Sequence, residues 1–316
     1  MTIESFTRSL TDGFARWAPD EGVTYSRVVG LTFVRHTAPT PPYVGIMDAS
    51  LSLVLSGRKR VVLGRHRFDY DRRQFLLTSV DLPVTACVIE ASVAKPYLGL
   101  LLRIDLAQVR SLLAVMDHHR IGTASPLGAA RAEVTADLLE PLLRLCRLAE
   151  RPGEIDLFAD QVLREVVYRL ITSPVGPRLC ALASMESASS GVVRALDWLQ
   201  RNFRARHSVD ALAGIAGMGV STLHRHFKAI TAMSPVQYRK HLQLTEARRL
   251  MMVCGFDAAS AAYDVGYESP SQFSREYRRT FGRPPMSSVE NLKRSLQGGM
   301  AVSSGPLATM EDLPLP

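Results

Sequence analysis

Two segments of this 316-residue chain set the same polar side chains at the same spacing. Residues 217–235 read GMGVSTLHRHFKAITAMSP and residues 266–285 read GYESPSQFSREYRRTFGRPP. With Leu223 placed on Phe273 and Phe227 on Tyr277, Ser221 falls opposite Ser271, Thr222 opposite Gln272 and Arg225 opposite Arg275. A guanidinium is a planar fork that matches the two major-groove acceptors of guanine, so an arginine repeated at one helical position suits the reading of base edges. Ser221, His224, Ser271 and Gln272 carry short polar groups that reach the same edges. Thr222, Lys228, Arg278, Arg279 and Arg283 are placed to grip phosphates, which fix register but carry no sequence information.

The distribution of charge agrees with this chemistry. Residues 1–193 hold 22 Lys and Arg against 20 Asp and Glu, residues 194–296 hold 16 against 8, and only Glu311 and Asp312 are charged beyond them. Nearly all of the net +8 therefore sits where the repeat sits. Clustered cations neutralise phosphates and release counterions, which dominates non-specific affinity for nucleic acid.

The elements that must carry these side chains are legible around them. Residues 192–203 have the spacing of an amphipathic helix with Val193, Leu196, Leu199 and Phe203 inward. Ser208 caps a next helix, Asp210 meets the positive end of its dipole, and Gly217 ends it. A recognition helix is predicted over 220–230, anchored by Leu223 and Phe227. The second unit runs through 257–265 and 270–281, where Ser269, Pro270 and Gln272 have the form of a capping box that draws the Gln272 amide to the backbone. Residues 236–253 read as a helical spacer, which would set two recognition helices roughly 34 Å apart, one duplex turn.

Ahead of this region, residues 25–104 read as short strands broken by turns, the cadence of a small antiparallel barrel or sandwich. Helices are predicted over 106–116, 129–149 with an interruption at Pro141, and 155–172. In the last, Phe158, Val162, Val166 and Leu170 form an apolar stripe that serves the domain core or a homodimer contact. The organisation expected is residues 1–173 as a sensing and dimerising domain, 174–190 as a linker with a short helix near Leu179, 191–296 as the DNA-binding module and 297–316 as a disordered tail.

Several classes are excluded. The beginning of the chain lacks the order of a secretory signal, and the most apolar run, 84–102, is broken by Glu90 and Lys95, so no membrane contact and a cytoplasmic location are expected. Cys87, Cys146, Cys180 and Cys254 are scattered, without zinc spacing or a disulfide framework. His66 has no partner two residues away, and His118 and His119 stand alone, so no metal, cofactor or catalytic residue is expected. Phe33, Pro83 and Cys87 are candidate linings of an effector pocket, and Cys87 is also a candidate redox thiol.

The runs HRHFKAITAMSPVQY, EARRL and VGYESPSQFSREYRRTFGRPP resemble the DNA-binding domain of the AraC/XylS family of bacterial transcription regulators. LSLVLSGRKRVVLG, LLTSVDLPVTACVIEAS and REVVYRLITSPVGPRL resemble the cupin-like N-terminal domain of one AraC subgroup, which includes activators of aldehyde reductase genes. The resemblance implies an α+β chain: a cupin-like antiparallel barrel with flanking helices, joined to an all-α domain of two helix-turn-helix units. It also implies control of promoters through RNA polymerase, usually as an activator, with a small-molecule effector bound by the barrel. This chain has Gly219 where the family has a Ser cap and Ala232 where it has Gly. The reading is a sequence-specific transcription regulator that is not an enzyme. Its alternatives are a cupin-type enzyme tethered to DNA and a regulator controlled by thiol oxidation.

Overall fold

A computed structural model describes residues 2–116, 126–183 and 188–297. The first helix, α1 (Ile3–Trp17), is capped by Thr2, whose hydroxyl accepts from the Ser5 N–H, and it buries Phe6, Leu10, Phe14 and Trp17. Strands β1 (Gly22–Tyr25), β2 (Leu31–His36), β3 (Tyr43–Met47), β4 (Ser50–Ser56), β5 (Arg58–Leu63), β6 (His66–Tyr70), β7 (Gln74–Thr78), β8 (Leu82–Glu90) and β9 (Tyr97–Arg103) follow. Next come α2 (Leu106–Leu113), β10 (Ala129–Glu133), α3 (Ala136–Leu148), α4 (Pro152–Ile171) and α5 (Gly176–Ala183).

The strands form two antiparallel sheets, one ordered β1-β2-β9-β4-β7-β10 and the other β3-β8-β5-β6. A hydrogen bond of 2.8 Å between the hydroxyls of Ser52 on β4 and Tyr70 on β6 joins the sheets and marks their facing sides. Because side chains alternate along a strand, the other face of the larger sheet presents Leu31, Phe33, Leu51, Leu53, Phe75, Leu77 and Leu100, and this face packs with α1 to α5 in one buried cluster. The larger sheet is thus covered on both sides.

Two expectations are corrected here. Residues 129–133 form strand β10, not the start of a helix: Ala129 to Glu133 pair with β7, and that tertiary pairing overrides the helical preference of an alanine-rich run. Pro141 lies inside α3 without interrupting it, held by buried Leu138, Leu139, Leu142, Leu143 and Leu145. The stripe on α4 splits: Val162, Val166 and Leu170 are buried in the domain's own core, whereas Phe158, Leu157 and Tyr168 are exposed. Helix α5 occupies much of the expected linker and buries Leu179 and Cys180. The tail expected to be disordered, and His118 and His119, lie outside the described residues.

The remaining helices are α6 (Ala188–Asn202), α7 (Val209–Ala216), α8 (Val220–Thr231), α9 (Pro235–Val253), α10 (Ala258–Asp264), α11 (Pro270–Phe281) and α12 (Pro285–Gln297). They are not a separate globule hung on a string. One buried cluster runs from the space between the sheets (Val54, Val61, Leu76, Tyr97) into the helices (Leu196, Leu223, Phe227, Tyr238, Phe273).

Candidate DNA interface

Each of the last helices starts and stops for a local reason. Ser208 caps α7 by accepting from the Ala211 N–H, and Gly217 ends it in the left-handed conformation at φ 69°. Helix α8 begins at Gly219, which offers no side-chain cap, and ends at Ala232 with φ 60°, the sole positive φ of a non-glycine among the described residues. At the corresponding place after α11 stands Gly282, φ 77°. Ala232 thus stands where the second unit has a glycine, at a position whose backbone is left-handed and where a Cβ costs roughly 1–2 kcal/mol.

The capping box occurs at a different helix from the one expected. Ser234 accepts from the Gln237 N–H while the Gln237 side chain accepts from the Ser234 N–H, closing the start of α9. On α11, Ser269 accepts from the Gln272 N–H, but the Gln272 amide turns to Glu276, 3.3 Å away. The capping box would need its Oε1 to accept from the Ser269 N–H; here the Nε2 donates to the Glu276 carboxylate.

The two recognition helices present matching faces. Leu223 and Phe227 on α8, and Phe273 and Tyr277 on α11, are fully buried. Ser221, Arg225 and Lys228 are exposed, with Thr222 and His224 half-buried; Ser271, Gln272, Arg275, Arg278, Arg279 and Arg283 are all exposed. None of these cations forms an ion pair among the described residues; Nη2 of Arg225 lies 3.5 Å from the His226 ring. Unpaired guanidinium groups on an open face are available to an external anion, whereas the paired arginines of this region serve the fold.

Those structural arginines were not legible in the sequence. Arg194 donates to the Ala216 carbonyl at 2.8 Å and closes the end of α7, and Arg204 bridges Glu246 at 3.2 Å and Asp264 at 3.3 Å. Glu276 holds α11 to α9, accepting from Lys240 Nζ at 2.5 Å and from the Tyr267 hydroxyl at 2.8 Å. Burial opposes its ionisation, but the hydrogen bonds from Lys240, Tyr267 and Gln272 outweigh it and hold the carboxyl below its ordinary range. One signal was present: Glu276 is the lone acid within SQFSREYRRTF, at the position that His226 takes in the first unit.

The module is clamped to the sandwich at several points. The Gly128 N–H donates to the Ile230 carbonyl at 2.8 Å, and the Tyr238 hydroxyl donates to the Asp81 carbonyl at 3.1 Å. Arg248 on α9 donates to the Val44 carbonyl at 2.7 Å, and its guanidinium lies between the rings of Tyr43, 4.5 Å away, and Phe281, 4.4 Å away. A cleft of about 600 Å³ lies at this junction, lined in part by Asp48, Asp81, Arg103, Asp197, Gln200 and Arg201.

None of the three residues expected to line an effector pocket faces the space between the sheets. Phe33 stacks on Trp17 at 5.5 Å and meets Phe14 edge-on at 5.5 Å, in the core beneath the helices. Cys87 pairs in register with Arg60, whose guanidinium lies beside Asp69 on the outer side of the smaller sheet, and Pro83 shares that side. Alternation along a strand shows which residues share a face, but not which face is the interior when both are covered. Burial pushes the Cys87 thiol up, the opposite of what a reactive thiolate needs. Among the described residues no group of three or more His, Cys, Asp or Glu is arranged to hold a metal ion.

With this geometry in view, the comparisons with known proteins identify the class. The profile described as "AraC-type transcriptional regulator N-terminus" matches residues 27–178, and a helix-turn-helix domain profile matches 212–290. The chain belongs to the AraC family of helix-turn-helix transcription regulators. It is 33% identical over 104 residues to the HTH-type transcriptional activator RhaS of Pectobacterium carotovorum, covering 33% of this chain and 37% of that protein. It is 30% identical over 142 residues to RhaS of Escherichia coli O157:H7, covering 45% of this chain and 50% of that one. The chain thus spans half or less of the length of these relatives. In fold it is similar to ToxT of Vibrio cholerae: an apo variant aligns with TM-score 0.58 at 10% identity over 84% of this chain and 99% of that one. ToxT bound to (E)-4-(8-methylnaphthalen-1-yl)but-3-enoic acid aligns with TM-score 0.56 at 12% identity, covering 82% and 98%.

Proposed function

We propose that this protein is a sequence-specific regulator of transcription, an activator that binds promoter DNA through α8 and α11 and engages RNA polymerase from there. The observation that carries this reading is the matched exposure of Arg225 and Arg275 at equivalent positions of two buried-anchored helices. Ser221, His224, Ser271 and Gln272 flank them as base contacts, and Thr222, Lys228, Arg278, Arg279 and Arg283 take phosphates. Helix α9 spaces the two heads. Nineteen residues at a rise of about 1.5 Å per residue span about 28 Å, close to the roughly 34 Å between successive major grooves on one side of a duplex.

The sandwich is the sensing half. It binds a small-molecule effector, and because its core is continuous with that of the reading helices, a ligand that prefers one arrangement of the two halves shifts their equilibrium. The exposed Leu157, Phe158 and Tyr168 on α4 are the apolar contribution to a homodimer contact. No helix among the described residues is long and apolar enough to cross a membrane, which accords with a protein working at DNA in the cytoplasm.

The test is selection from a random duplex library with the full chain, followed by fluorescence anisotropy on the selected site and on a scrambled duplex at moderate salt. A site preference of about a thousandfold or more supports the reading. Equal affinity for both duplexes refutes it.

A further inference from the structure

The two recognition helices match in their arginines but not in what stands beside them. Gln272 lies in the first turn of α11, and Glu276 stands one turn further along the same face; the first unit has Thr222 and His226 at these places. In the second unit the two side chains are joined, Gln272 Nε2 donating to Glu276 Oε1 at 3.3 Å.

Glu276 is a fixed partner. Its Oε1 also accepts from Lys240 Nζ on α9 at 2.5 Å, and its Oε2 accepts from the Tyr267 hydroxyl at 2.8 Å, so groups outside α11 hold both oxygens. The Glu276 side chain is only 13% exposed. Burial opposes its charge, and the hydrogen bonds from Lys240, Tyr267 and Gln272 outweigh that opposition. Gln272, by contrast, is exposed, and beyond Glu276 its amide meets no hydrogen-bond partner among the described residues.

This arrangement restricts what Gln272 presents. A side-chain amide has one N–H beside its carbonyl oxygen and one that points back along the side chain. A residue one turn away on the same helix is met by the second, which leaves Oε1 and the remaining N–H side by side on the outer edge. Turning the amide over would set Oε1 against a carboxylate, two acceptors with no proton between them. Adenine offers N7 as an acceptor and N6–H as a donor on its major-groove edge, whereas guanine offers two acceptors, N7 and O6. The tethered amide complements adenine and sets its own oxygen against O6 of guanine. An untethered amide turns until Nε2 alone faces guanine, and so separates the two purines less well.

We infer that Glu276 is a positioning residue for base recognition, holding the Gln272 amide in the orientation that reads adenine and rejects guanine. The inference rests on α11 being a recognition helix and names the base that Gln272 selects. Because Lys240 anchors the carboxylate from α9, the helix that spaces the two heads also sets the specificity of the second.

The experiment measures affinities of the full chain by fluorescence anisotropy on the selected duplex and on duplexes with A·T and G·C exchanged at each pair flanking the one that Arg275→Ala relaxes. Gln272→Ala identifies its own base pair, as the one where preference collapses to within about threefold. At that pair the wild type is expected to favour adenine over guanine by about tenfold or more. Glu276→Gln keeps an acceptor for Lys240 but gives the Gln272 amide a partner in either orientation. It should lower the adenine-to-guanine ratio at that pair at least about fivefold and leave the preference at the pair read by Arg275 within about twofold of wild type. In the Gln272→Ala background the same substitution should change the ratio by less than about twofold, because Glu276 acts through Gln272. If Glu276→Gln fails to fold, Tyr267→Phe releases one carboxylate oxygen in its place and should lower the ratio at least about threefold. Adenine and guanine duplexes weakened alike by the variant that folds, guanine favoured by the wild type, or no pair that responds to Gln272→Ala overturns the inference. Affinity for a scrambled duplex on the same preparations separates the two readings: with the selected site still preferred, any of those outcomes removes this inference alone.

Discussion

Gly64 and Ala232 meet where the reading helices rest on the sandwich, so closely that a Cβ on Gly64 would lie 2.8 Å from the Cβ of Ala232. Both residues have positive φ, 56° and 60°. The turn between β5 and β6 and the end of α8 are therefore fitted to each other, and Gly64 lacks room for a side chain. Ala232→Gly should stabilise the chain by about 0.5–1 kcal/mol, because release of left-handed strain exceeds the added freedom of the unfolded chain. Gly64→Val should destabilise by about 2 kcal/mol or more through strain and overlap together. Urea unfolding reads both, and a lower midpoint for Ala232→Gly would contradict the assignment of strain.

Arg225→Ala and Arg275→Ala are each expected to weaken binding to the selected site by about 1–3 kcal/mol and to relax preference at separate base pairs. Arg278→Ala and Arg279→Ala should instead weaken every duplex alike and flatten the dependence of affinity on salt. Equal losses on selected and scrambled duplexes for Arg225→Ala and Arg275→Ala would show that those arginines hold phosphates. Because each helix reads its own groove, the double variant should lose close to the sum of the single losses.

Arg248 ties three elements at once, through the Val44 carbonyl on β3, the Tyr43 ring beside it and Phe281 at the end of α11. Lysine cannot reproduce a planar cation held between two rings. Arg248→Lys should therefore cost about 1–2 kcal/mol and Arg248→Ala about 2–4 kcal/mol, counting the stacked contacts and the charged hydrogen bond. Amide hydrogen exchange should rise first in β3 and at the end of α11. Unchanged exchange in β3 would show that the contact does not hold the halves together.

What was legible in the sequence is what depends on near neighbours. Leu223 with Phe227, and Phe273 with Tyr277, four residues apart, sufficed to place α8 and α11 and to orient Arg225 and Arg275 outward. What depends on distant pairing was not. AARAE at 129–133 is a strand because β7 offers it an edge, and Glu276 is structural because Lys240 lies across from it on α9. The face on which Phe33 lies was not legible either. The larger sheet is covered on both faces and alternates apolar with apolar, so no near neighbour tells that Phe33 packs beneath the helices and not between the sheets.

A pair of aspartates at the junction makes the docking of the two halves depend on pH. The Asp81 carboxylate accepts from the Ala49 N–H at 2.8 Å and from Gln200 Nε2 on α6 at 2.7 Å; burial raises it above its ordinary range, and these two hydrogen bonds oppose that rise. Burial, and then the charge of Asp81, push Asp48 up to about 7 from an ordinary 3.8, against the opposing pull of Arg103. Folded Asp48 thus keeps a proton that the unfolded chain releases near its ordinary value. Stability from this group is full below that value, falls as pH rises toward about 7, and is lost above it. Asp48→Asn keeps the neutral, hydrogen-bonding form at every pH. It should remove this decline and leave the variant more stable than wild type at about pH 8, by a smaller margin at about pH 5, and with little difference at about pH 3.5. Urea midpoints for the two proteins across that range provide the measurement, and parallel curves would mean that Asp48 is ionised in the folded chain throughout.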